Sequence, residues 1–186
     1  MLKNPLPYLR FRKKATNRHG VHSPFIYKLL EDVIYKKKGE PAVSLNKNRR
    51  KEHQLYQRLF KHFNLQSAFL LKSDDFFLQG LKEYQNTNPS FSYQQHLNHS
   101  STHNSYDVYI LNDIENSDII IEFMKLQENK NNSFVIIPQI RASKQQLEFW
   151  KRFTERDFAK VSLEFYHFGL VFFRKECSRQ HFFIRF

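Results

Sequence analysis

Glycine is scarce in this chain, with 4 residues in 186, where average usage of about 7% would place roughly three times as many. Gly20, Gly39, Gly80 and Gly169 each stand alone. No Gly-rich phosphate loop and no G-x-G-x-x-G string can be written anywhere, which excludes the usual signatures of P-loop and dinucleotide-binding enzymes. Cysteine is scarcer still. The single Cys177 can form neither an internal disulfide nor a cysteine-based metal cluster, as expected of a reducing compartment. It reads as a small residue near the end of a strand. Long apolar runs are missing too. None approaches the roughly 18 residues of a membrane span, and the opening "MLKNPLPYLRFRKK" lacks the apolar centre of a signal peptide. The expectation is a cytoplasmic protein with no membrane partner.

Positive charge is plentiful, and it is unevenly spread. Residues 1 to 61 hold 16 Lys/Arg against 4 Asp/Glu, whereas residues 62 to 186 hold 14 of each, so the whole net charge of +12 sits in the first third. A basic segment on a neutral domain is the footprint of contact with phosphates or another acidic surface, and equally of solvated helix faces. Lys47, Arg49, Arg50 and Lys51 form the densest cluster. They are the expected anion or nucleic-acid contacts.

With 40% hydrophobic residues the chain is long enough for one domain with a real core and too short for two substantial ones. The pattern divides it into a basic helical segment, 1–63, and a domain, 64–186. In the first part "PLPYLRFRKK" reads as a short helix or a loose arm. "HSPFIYKLLEDVIYKKKG" is a helix with Ser23 as N-cap and Pro24 at its first position. A second helix is expected from about Lys47 to Phe63, apolar at Leu55, Tyr56, Leu59, Phe60 and Phe63.

From Ser67 short apolar runs alternate with helical ones. "SAFLLK", "PSFSYQQ", "YDVYILND" and "SFVIIPQ" read as strands, and "DDFFLQGLKEYQ", "NSDIIIEFMKLQE" and "SKQQLEFWKRFTER" as helices. Such alternation predicts a mostly parallel sheet covered on both faces. "VSLEFYHFGLVFFRK" and "QHFFIRF" then follow with no helix between them. They predict an antiparallel hairpin closing the sheet, with Gly169 marking its turn.

The order of these elements, together with several strings, resembles a family of class I S-adenosylmethionine-dependent methyltransferases of Bacteroidetes-type bacteria. "RHGVHSPFIYKLLEDVIY" looks like that family's N-terminal helix entry, and "FYHFGLVFFRKECSRQHFFIRF" like its closing strands. "SYDVYILND" and "SFVIIPQIRASKQQLEFW" resemble its fourth and fifth strands with the helix that follows. The resemblance implies a Rossmann-like sheet and, in an intact member, S-adenosylmethionine as cofactor.

Three departures fall on the chemistry. After the first strand the family carries an acidic-x-Gly-x-x-x-Gly type loop, which lets the backbone approach the cofactor with no Cβ in the way. Here "LLKSDD" puts Leu71, Lys72 and Ser73 in that place. The second strand should end in a ribose-binding acid, and Gln94 or Gln95 stands there. The stretch onward to Tyr106 is too short for the usual helix and third strand. After the fifth strand, where the family tends to carry an acidic pair and His-Trp ahead of Ser-Lys, the chain has Pro138, Gln139, Arg141 and Ala142 before Ser143 and Lys144. If the pocket persists, the resemblance points to Ser73, Asp74, Gln94 and Asn112 as cofactor contacts.

Other constellations are weaker. His96, His99 and His103, or His19 and His22, have spacings compatible with a metal, but no cysteine or acid lies nearby to complete a site, so solvated histidines are expected, with His22 hydrogen-bonding at the helix start. Asp74 and Asp75 suit the start of a helix, where they complement its dipole. Aromatics interleave with cations near the N-terminus as in single-strand binding proteins, with Tyr8 and Phe11 as the free candidates. Three functions follow as expectations. The first is a degenerate, non-catalytic family member that binds a partner, such as an intact methyltransferase relative. The second is an active methyltransferase with an altered cofactor loop. The third is a nucleic-acid-binding protein that uses the basic third.

Overall fold

The computed structural model describes residues 6–17, 20–36, 47–72, 74–95, 105–112, 117–126 and 132–186, without the side chains of residues 47, 48, 117 and 126. Three helices come first: α1 (Leu6–Lys14), α2 (Pro24–Leu29) and α3 (Lys47–His62). The remaining elements are β1 (Ser67–Leu71), α4 (Asp75–Thr87), β2 (Ser92–Gln95), β3 (Val108–Leu111), α5 (Ser117–Leu126), β4 (Phe134–Ile137), α6 (Lys144–Thr154), β5 (Val161–Glu164), β6 (Gly169–Phe172) and β7 (Gln180–Phe183).

One seven-stranded sheet runs in the order β2-β1-β3-β4-β6-β5-β7. The first four strands are parallel, and β6 lies antiparallel between β4 and β5. This is a Rossmann-like, methyltransferase-type sheet. Its first half follows the doubly wound order without an outermost strand beyond β2, since among the described residues no strand lies between β2 and β3.

Alternation along each strand sorts the core into two layers. Ala68, Leu70, Val108, Ile110, Phe134, Ile136, Leu170 and Phe172 meet α2, α3 and α4, while Phe69, Tyr109, Val135 and Val171 meet α5 and α6. Both faces are dry, which is why these strands carry unbroken apolar runs. Phenylalanine does much of the filling. Phe63, Phe134 and Phe172 pack mutually in one cluster, with centroids 5.0, 5.5 and 5.8 Å apart.

Gly169 has another role than its sequence position suggests. The hairpin turn is residues 165–168, closed by Phe165 N–H donating to the Phe168 carbonyl at 2.9 Å, and Gly169 is the first residue of β6. Its φ is not positive. What it supplies is space, for a Cβ there would lie 2.2 Å from Trp150 Cζ3. The expected antiparallel hairpin ends the parallel half of the sheet, and β7 adds one more strand, parallel, outside β5. Of the two readings of the first segment the helix holds: α1 is docked and is no loose arm. Phe11 is buried against Tyr166 and Phe183, and Thr16 beyond it forms a parallel bridge to Ile184. Phe11 is therefore not available for stacking on a nucleic acid.

Ser23 stands at the N-cap of α2, although its side chain makes no capping bond. The helix runs on as a π-turn over Leu30–Ile34, and Arg58 Nε of α3 donates to the Val33 carbonyl at 2.7 Å.

Candidate functional site

The carboxyl ends of β1 to β4 are where an open α/β sheet ordinarily receives a nucleotide-like ligand. At the end of β1 the chain turns through Lys72 with φ 62°, a left-handed conformation that costs a non-glycine residue roughly 1–2 kcal/mol. Ser73 lies outside the described residues. Asp74 is the N-cap of α4, its Oδ1 accepting from Phe76 N–H at 2.8 Å. Gln94 of β2 accepts a hydrogen bond from the Tyr106 hydroxyl, so its amide oxygen is already engaged. Asn112 follows β3 and donates its backbone N–H to the Leu71 carbonyl at 3.2 Å. After β4, Gln139 is the second left-handed residue at this edge, at φ 52°.

Beside the β1 bend, aromatic rings fill the space between α3 and α4. Tyr56 packs on Phe77 at 5.2 Å and on Phe168 at 5.5 Å, with Phe76 in edge contact with Phe77. All four are buried. Burial also drives the Tyr56 hydroxyl far above its ordinary range.

The basic cluster at the start of α3 is partly built into this packing. Arg49 lays its guanidinium over the Phe76 ring at 4.4 Å, and Lys51 lines a small cavity of about 210 Å³ beside Glu52, Tyr8 and Phe165. Arg50 is half-buried, and the Lys47 side chain is outside the described residues. His19, His96, His99, His103 and Asp113 also lie outside them. Among the described residues no group of three His, Cys, Asp or Glu is placed to hold a metal. His22 is exposed.

Sequence reasoning missed a polar cluster farther along the same edge. Glu164, at the end of β5, is 5% exposed. Its Oε1 accepts from Arg141, and its Oε2 from Trp150 Nε1 at 2.7 Å. His181 Nε2 lies 3.2 Å from the same Oε2, and His181 Nδ1 lies 2.7 Å from Ser162 Oγ. Burial pushes the Glu164 carboxyl up, but the bonds from His181 and Trp150 and the Arg141 charge outweigh it and hold the group below its ordinary range. Arg141 also donates to the Tyr166 carbonyl at 2.9 Å and stacks over Phe11 and Tyr166. The signal available in the sequence was Glu164 itself, an acid inside the buried run "VSLEF", where a charge needs partners.

No protein-family model matches the chain, and no curated protein does. Among solved structures, a protein from Klebsiella pneumoniae provisionally assigned as an O-methyltransferase is similar at 10% identity, with a TM-score of 0.43 over 83% of this chain and 92% of that one. At that level the likeness carries no functional weight, and the fold is read from the strand order. Among the described residues no helix is long and apolar enough to cross a membrane.

Proposed function

We propose that the chain uses a methyltransferase-type fold as a binding scaffold and does not itself transfer a methyl group. The observation that carries this reading is Lys72. The bend after β1 keeps the left-handed turn for which a glycine is suited, yet it carries a Cβ and a long side chain. A cofactor held at this bend needs the backbone to come close, and a Cβ there stands in the way. Gln94 supports the same reading, since its amide replaces the ribose-binding acid and is turned to Tyr106. So does the aromatic filling by Tyr56, Phe76 and Phe77. The residues at this edge thus fit S-adenosylmethionine poorly. The partner is proposed to be an acidic surface met by the basic N-terminal third, on an intact relative, another protein or a nucleic acid.

Calorimetric titration with S-adenosylmethionine tests the reading. No binding tighter than about 100 µM, roughly −5.5 kcal/mol, is expected, and a tighter value would restore the chain to the enzymes.

A further inference from the structure

The largest described cavity near the polar cluster, about 570 Å³, is a cleft between α1 and α6 floored by β5 and β7. That volume is in the range of small-molecule sites. Its walls are two helix faces of the same spacing. Pro7, Arg10, Phe11 and Lys14 come from α1, and Leu147, Trp150, Lys151 and Thr154 from α6. Each set recurs at i, i+3, i+4 and i+7, so each lies along one side of its helix.

Five cations and two carboxylates line this cleft, a surplus of three positive charges. The deeper carboxylate, Glu164, is already neutralised by Arg141, leaving only Glu155 to oppose an incoming anion. Among the described residues Arg10, Lys14 and Lys151 enter no ion pair, although Lys14 lies over the Phe183 ring at 5.7 Å. Arg179 donates one Nη to the Glu155 carbonyl. All four line the one cavity. Between them the lining is apolar, at Pro7, Leu147 and Phe183.

We propose that this cleft binds an organic phosphate with a ring-sized body, of the nucleoside monophosphate class, free or at the end of a strand. The phosphate sits among Arg10, Lys14, Lys151 and Arg179, where arginine offers paired donors to phosphate oxygens. The body lies on Pro7 and Leu147. The cleft's lining is separate from the bend after β1, so this site stands whether or not S-adenosylmethionine binds there.

Trp150, the only tryptophan of the chain, lines the cleft and gives it a built-in reporter. The full chain is titrated with adenosine monophosphate, adenosine and inorganic phosphate, by calorimetry and by Trp150 fluorescence. The monophosphate is expected to bind below about 1 mM and at least tenfold more tightly than either fragment. A 5′-phosphorylated trinucleotide run in parallel separates a strand end from a free nucleotide as the natural source, according to which binds more tightly. The double variant Arg10→Ala, Lys151→Ala changes two exposed side chains and should lose tenfold or more in affinity with an unchanged melting temperature. Equal binding of phosphate alone, no binding of the monophosphate at 10 mM, or undiminished binding by a folded double variant overturns the proposal.

Discussion

Glu52 and Glu164 each face a cavity roofed by α1, and their surroundings move them in opposite directions. Burial lifts the Glu52 carboxyl from 4.5 to about 6, against the opposing pull of Arg49. A folded state that binds its proton more tightly than the unfolded chain is favoured while that proton is on. Its advantage is therefore lost as pH rises from about 4.5 through 6. Glu52→Gln should flatten this part of the pH profile, melting above the parent protein at pH 7 and level with it near pH 4. Glu164 has the opposite sign. Its depressed value means that stability is present above the ordinary carboxylate range and is lost as pH falls through the folded value. Glu164→Gln leaves Arg141 and His181 facing a neutral amide, and denaturant unfolding at pH 7 should show a loss of about 3–5 kcal/mol. The loss should shrink in acid; one that does not change with pH would argue for packing alone.

Among the elements, β6 shows how a single position ties layers together. Gly169 was legible in the sequence as a landmark but not as to its role. A lone glycine between apolar runs reads as a turn, whereas here it makes room for Trp150, which approaches from α6, a separate element. Gly169→Ala should cost about 1–3 kcal/mol through overpacking, and it should alter Trp150 fluorescence, since the indole would have to leave its bond to Glu164. An unchanged spectrum and stability would mean that the ring has room to move. The parallel half of the sheet was readable because β1, β3 and β4 are buried on both faces, which forces continuous apolar runs. Arg141, Glu164 and His181 were not readable as a group. They lie after β4, in β5 and in β7, and only the order of strands at that end of the sheet brings them together.

At the scale of the molecule, the basic third is no separate appendage in its packing. Ile26, Leu29, Leu55 and Leu59 share one core with sheet residues, and Arg49 is held on Phe76. The segment that carries the charge excess is thus packed on the same core as the sheet. Removing residues 1–16 should uncover Tyr166 and Phe183 and lower unfolding free energy by about 3 kcal/mol, the order of one buried phenylalanine and its contacts. Urea denaturation of the shortened chain checks this, and an unchanged midpoint would make α1 a loose cover after all.

The bridge from Thr16 to Ile184 has a consequence in time. Thr16 N–H donates to the Phe183 carbonyl at 2.8 Å, and Arg185 N–H to the Thr16 carbonyl at 3.0 Å. One wall of the cleft is thus anchored to a strand made some 165 residues later in synthesis. Contacts so far apart in sequence form slowly. During synthesis Thr16 has no strand to bridge to until residues 180–185 have emerged, so the α1 wall of the cleft is fixed only after β5, β6 and α6 have been made.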